Sequence, residues 1–139
     1  MPDYRKLRVY GLAQELSEEV HRLLPEIPAR RAPGLRAQLA RSVSSVPANI
    51  AEGAAHDSPA LFMRFLRTAV GSAHESAVHL RLAASIVNAH SHRFTRCENQ
   101  SRAVAAMLTN LIARIQEGQA RVENERRTAA APKSDTATT

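Results

Sequence analysis

Apolar residues recur at helical spacing in four successive stretches of the chain. Val9, Leu12, Leu16, Val20 and Leu23 lie three or four residues apart, one face of a helix predicted from about Tyr4 to Leu24. Pro25 and Pro28 stop it, and Ile27 to Gly34 reads as a loop. A second helix is predicted from Leu35, with Leu35, Leu39, Val43, Val46 and Ile50 as its stripe and Gly53 fitting its C-terminus. Ser58 is placed to cap a third helix, with Pro59 at its first position. That helix runs to about Asn88, with Phe62, Phe65, Leu66, Ala69, Ala73, Leu80 and Val87 facing inward. His90 to Arg93 reads as a loop. A fourth helix is expected from Thr95 or Arg96 to Gly118, with an extension toward Arg127. Its stripe is Val104, Leu108, Leu111 and Ile115, flanked by Met107 and Ile112.

Strand-like alternation is hard to find. The pattern therefore predicts an all-α fold, an up-down-up-down antiparallel four-helix bundle over residues 1–118. Residues 119–139 read as a helix extension and, beyond Thr128, a disordered tail without apolar periodicity. The length of 139 residues suits one domain. Aromatic residues are 4% of the chain and Trp is absent, so the core must come from Leu, Val, Ile and Ala. That palette suits helix-on-helix packing.

The formal net charge is +6, and Lys6 and Lys133 are the only lysines among 19 cationic residues. Arginine grips phosphate with two prongs, which makes nucleic acid a candidate partner; dispersed, solvated arginines are the alternative. The tail from Gln119 holds four basic and three acidic residues, so the basic character belongs to the body. Cys97 is the single cysteine, which excludes an intrachain disulfide. No apolar run reaches membrane-spanning length, and the first residues lack the apolar stretch of a signal peptide. The expectation is a cytoplasmic protein with no membrane contact.

The segment Val46-Pro47-Ala48-Asn49-Ile50-Ala51-Glu52-Gly53 stands out. A proline inside a helix removes a donor and costs about 3 kcal/mol. Pro47 is expected to bend the helix or mark a local irregularity in it, and the functional reading is that the bend shapes a subunit contact. Asn49 and Glu52 are expected to pair with Arg64 or Arg67 across the short turn. Two further features point outward. Gly71, Val78 and Leu82 lie opposite the inner face of the third helix, with Ile86 nearer that outer side. Gln38, Ser42, Ser45, Asn49 and Glu52 form a polar stripe on the second helix. That stripe is either a solvated face or, together with Gly71, part of a self-association surface on which hydroxyls and amides pair between copies.

Catalytic and metal chemistry find little support. A di-metal bundle needs two Glu-x-x-His pairs, and Glu18-Glu19-Val20-His21 supplies one, pointing away from the Leu16/Leu23 face. His74-Glu75 followed by His79 is one residue too long for the zinc-protease spacing. No cofactor, metal site or catalytic group is expected, and the chain reads as non-enzymatic.

The chain resembles the bacterial four-helix bundle proteins encoded in intervening sequences of 23S ribosomal RNA genes. The likeness runs from about Leu7 to Gly118. It is carried by Val46 to Gly53, by Arg64-Phe65-Leu66-Arg67, by Ala69-Val70-Gly71-Ser72 followed by Glu75, and by Leu7-Arg8-Val9-Tyr10. More remotely, the chain is similar to the accessory variability protein of diversity-generating retroelements. The resemblance implies a ring-shaped homo-oligomer, a pentamer. The remote likeness implies nucleic acid and a reverse transcriptase as partners. The residues it marks are Pro47, Asn49, Glu52, Gly53, Arg64, Gly71, Ser72 and Glu75. The turn Ala54-Ala55-His56-Asp57 departs from the family pattern, in which a glycine and basic residues often follow the Glu-Gly pair.

The expected function is a homo-oligomeric bundle that binds RNA or DNA through a basic surface. The candidate contacts are Arg30, Arg31, Arg36, Arg41, Arg64, Arg67 and Arg81. The alternative is an interaction scaffold or accessory subunit without nucleic-acid affinity.

Overall fold

Four α-helices form in the order the apolar pattern dictates: α1 (Arg8–Leu23), α2 (Leu35–Ala54), α3 (Pro59–Ile86) and α4 (Ser91–Ala130). This computed structural model describes residues 3–133. No strand occurs among them.

Local chemistry sets the helix ends. Asp3 accepts a hydrogen bond from the Arg5 amide and holds a single 3₁₀ turn, Tyr4–Lys6, so α1 proper begins at Arg8 rather than Tyr4. Pro25 closes α1 in a second 3₁₀ turn, Leu24–Glu26. Gly34 precedes α2 with a φ of 80°, a left-handed conformation that glycine adopts without strain. The Ser58 hydroxyl accepts from the Leu61 amide at 3.2 Å, and Pro59 takes the first helical position, as expected. The predicted loop over His90–Arg93 is helical instead, because α4 starts at Ser91 directly after a 3₁₀ turn, Asn88–His90. No glycine or proline lies there to prevent it. Helix α4 passes unbroken through Gly118 to Ala130, so Thr128 to Ala130 are helical. Residues 131–133 are not helical, and the rest of the expected tail, 134–139, lies outside the described residues.

The core splits into two apolar clusters. One joins Val9 and Ala13 to Val46, Ile50, Leu66 and Leu108, among others. The other joins Leu16, Val20 and Leu23 to Leu39, Leu80 and Phe94, among others. Early α1 therefore meets late α2, and late α1 meets early α2. The same reversal holds for α3 and α4, so neighbouring helices run in opposite directions. Buried serines mark the waist between the clusters: Ser17, Ser42, Ser76 and Ser101, one from each helix. On α4, Ile112 is buried while Leu111 and Ile115 are only partly covered, a small rotation from the expected stripe.

Gly53 does not end α2 in a left-handed turn. It lies inside the helix, buried, where a Cβ would sit 2.7 Å from Phe65 Cβ and 3.0 Å from Phe62 Cδ2. Its role is the close approach of α2 to α3. Gly11 is the converse case, exposed on α1 with nothing within 4 Å of an added Cβ.

Helices α1 and α4 are also tied by charge. Arg93 reaches Glu19 at 2.9 Å, and Arg22 reaches the same carboxylate at 3.1 Å. The Arg93 hydrogen bond, more than that of Arg22, holds the Glu19 carboxyl below its ordinary pKa, against the opposing effect of burial.

Two stability measurements follow. In urea denaturation, Gly53→Ala is expected to lose about 1–3 kcal/mol through overpacking, and Gly11→Ala to gain about 0.5–1 kcal/mol through helix propensity. In acid titration the sign follows from the lowered carboxyl. Folded Glu19 takes up a proton less readily than unfolded Glu19. Its stabilisation is full above the unfolded carboxylate pKa and is lost as pH falls through the lower folded one. Arg93→Ala should therefore cost about 0.5 kcal/mol near neutral pH, the scale of a partly exposed pair, and nothing once the carboxyl is protonated.

Candidate functional site

The middle of the polar stripe of α2, Ser42, Ser45 and Asn49, turns toward α3 and pairs within the chain, while Gln38 and Glu52 at its ends are exposed. Asn49 donates its amide to Ser45 O at 2.8 Å and to Ser45 Oγ at 2.9 Å. Ser45 Oγ lies 2.9 Å from Ser72 Oγ on α3. Deeper in, Ser76 Oγ lies 2.9 Å from Ser42 Oγ and 2.8 Å from the Ser72 carbonyl oxygen. A hydroxyl carries one proton, so Ser76 donates to one of these and can accept from Ser42 when it donates to the carbonyl. At the near end of the stripe, Arg41 pairs with Glu75 at 2.7 Å, and His79 approaches the same oxygen at 3.4 Å.

This arrangement corrects two expectations. Ser42, Ser45 and Asn49 pair inside one chain rather than across a contact between copies, because α2 and α3 pack closely enough for hydroxyls to meet. Asn49 bonds back to Ser45, one helical turn away, instead of reaching Arg64 or Arg67. Among the described residues, Glu52 makes no ion pair with either arginine. Glu52 and Arg64 instead face a shallow pocket of about 540 Å³ with Asn49, His56 and Phe65. The His56 ring stacks on Phe65, centroids 5.3 Å apart and 9° from parallel. Pro47 is buried in α2, which remains helical through it.

The outer face of α3 holds the remaining marked groups. Gly71 is exposed, with nothing within 4 Å of an added Cβ. Val78 is 64% exposed, Leu82 48% and Leu61 38%. They share one helix face at about 100° per residue. Ile86 does not join them, since it packs against the second apolar cluster. Arg64, Arg67 and Arg81 are exposed on or beside this strip, and none forms an ion pair or side-chain hydrogen bond among the described residues.

The other candidate arginines divide. Arg31 donates to Ile86 O at 3.1 Å, and Arg36 donates to Ile27 O at 2.6 Å and Pro25 O at 3.1 Å. These two pin the α1–α2 connection, and Arg41 is engaged by Glu75. Arg30 is exposed in that connection. The seven arginines thus do not form one free surface; the unpaired set centres on α3.

Cys97 is 1% exposed, and burial first, then the charge of Glu19, pushes its thiol up to about 11. A thiol so protonated is a poor nucleophile. Among the described residues, no group of three or more His, Cys, Asp or Glu is placed to hold a metal ion. Among the described residues, no helix is long and apolar enough to cross a membrane.

Sequence reasoning missed Arg93, which it placed in a loop, and missed Leu61 and Ser76. The Ser72/Ser76 spacing of one helical turn opposite Ser42 and Ser45 was the available signal for the zipper.

The family model described as 23S rRNA-intervening sequence protein matches residues 5–110. A crystal structure from Bacteroides thetaiotaomicron, of a protein with unknown function from the S23 ribosomal protein family, has a similar fold. Its TM-score is 0.67 at 23% identity, covering 75% of this chain and 97% of that one. Comparison with curated proteins gives no match.

The zipper and the pocket separate in a mutational test. Asn49→Ala, which removes both bonds to Ser45, is expected to cost about 1–2 kcal/mol in urea denaturation. Glu52→Ala, at an exposed and unpaired position, should stay within about 0.5 kcal/mol of the parent. Equal losses would show that Glu52 carries a structural bond as well.

Proposed function

Because the chain belongs to the 23S rRNA-intervening sequence protein family, we propose that it acts through assembly and surface charge, without catalysis. Copies associate through the outer strip of α3, into the five-membered ring that the family resemblance implies, and the assembly presents arginines to RNA or DNA. One observation supports this above others. Unpaired Arg64, Arg67 and Arg81 stand beside exposed Leu61, Val78 and Leu82 on a single helix. Water is a poor solvent for the apolar strip, and a second copy would cover it. Guanidinium groups without internal carboxylates are free to take phosphate.

A second reading has its own support. The strip is apolar at Leu61 and again at Val78 and Leu82, and phosphate would not cover those side chains. A protein partner would, which makes the chain an accessory subunit without nucleic-acid affinity. Base-specific recognition of single strands is disfavoured in both readings. Phe65, which lines a pocket with Arg64, is only partly exposed and is stacked by His56.

Titration of a labelled RNA oligonucleotide at low and moderate salt separates the two. Binding through three or more arginine–phosphate contacts should weaken about tenfold or more between 50 and 200 mM salt. The combined Arg64→Ala, Arg67→Ala and Arg81→Ala variant should weaken binding at low salt and flatten that dependence. No binding at low salt removes the nucleic-acid role and leaves the accessory-subunit reading.

A further inference from the structure

The seam between α1 and α4 opens into a groove of about 560 Å³ near the start of α1. Its floor is apolar: Leu7 and Val9 from one side, Met107 and Leu111 from the other. Val9 is buried, while Leu7, Met107 and Leu111 are only partly covered. The rim carries Arg8, Asn110 and Arg114 and no carboxylate. Among the described residues, neither arginine forms an ion pair or a side-chain hydrogen bond.

A second groove on the same seam shows what self-neutralisation looks like. There, in about 480 Å³, Glu15 and Glu19 face Arg22 and Arg96. The Arg8/Arg114 groove has no such acid. Helix α1 also begins here on Leu7 with no side-chain cap and no acidic residue in its first turn. The positive end of the helix dipole therefore adds to the two guanidinium charges.

We infer that this groove docks an acidic amphipathic helix from a partner protein. A carboxylate of that helix is held between Arg8 and Arg114, and aliphatic side chains one turn away lie on the Leu7/Met107/Leu111 floor. The combination selects this occupant. Guanidinium forks match carboxylates bidentately. Two antiparallel helices with an apolar seam are the receiving half of helix-in-groove recognition. A nucleic-acid backbone would satisfy the arginines but leave the floor wet, and no aromatic ring lines the groove to stack a base. Arg114 lies beyond residue 110, where the family match ends. Leu111 and Arg114 thus come from α4 beyond that match, while Leu7, Arg8, Val9, Met107 and Asn110 lie within it. The groove is separate from the α3 strip and does not depend on its role.

The probe is a fluorescein-labelled synthetic helix of about four turns, with Leu at i, i+3, i+4 and i+7 and Glu flanking them. Fluorescence anisotropy with the full chain should show saturable binding. Arg8→Ala and Arg114→Ala should each weaken it about tenfold, the scale of one charged hydrogen-bonded contact. Both side chains are exposed, and circular dichroism should show the helices retained. A peptide with Lys in place of Glu, or Ser in place of Leu, should not bind. Absence of saturable binding, or binding indifferent to both arginine substitutions or to Leu→Ser, overturns the inference. An RNA oligonucleotide whose binding depended on Arg8 and Arg114 would overturn it too, by assigning the groove to phosphate.

Discussion

A hydroxyl buried in a helix bundle must find a partner, and Ser101 at the waist of this bundle ties the register of α4 to α3 in doing so. Ser42, Ser76 and Ser101 are fully buried. Ser101 donates to Ala73 O at 2.7 Å, linking α4 to α3, and the Ser76–Ser42 contact links α3 to α2. Sliding α3 along α4 by one turn would take Ser101 away from the Ala73 carbonyl, at about 1–3 kcal/mol, whereas Ser42 and Ser76 also have acceptors in their own helices, Leu39 O and Ser72 O. Apolar contacts alone are more tolerant of such a slip. No buried side-chain nitrogen or oxygen among the described residues lacks a partner. The waist also explains why two apolar clusters exist instead of one continuous core.

That internal pairing decides what remains for the outside. Ser45, Asn49 and Ser72 extend the waist into a zipper between α2 and α3, and Gly53 lets the far end of the pair close tightly. Ser42, Ser45 and Asn49 of the α2 stripe are therefore engaged within the chain. Outward chemistry falls to the far side of α3, where apolar and cationic groups alternate without internal partners. The α1/α4 seam carries two grooves with arginines among their lining residues.

The helices were legible because period and punctuation agreed: the Pro25/Pro28 stop and the Ser58-Pro59 start are where the chain turns. The start of α4 was not legible, since His90 to Arg93 looks loop-like in composition yet carries no breaker. Gly53 was misread because a glycine near a helix end has two uses, a left-handed cap or a close contact, and sequence does not distinguish them. The polar stripe of α2 was seen in full, but its direction was not. Hydroxyls and amides suit a buried interface of either kind, and only the proximity of Ser72 and Ser76 shows that the interface is internal. Arg31 and Arg36 looked like phosphate ligands because their acceptors are backbone carbonyls, which sequence does not advertise.

The far side of α3 carries the account. If it is an assembly face, the unmodified chain should not persist alone. Sedimentation velocity across a broad concentration range is the most direct measurement. The expected result is one discrete species at a multiple of the chain mass, persisting on dilution into the micromolar range. A single sharp boundary at the mass of one chain at every concentration would contradict the account.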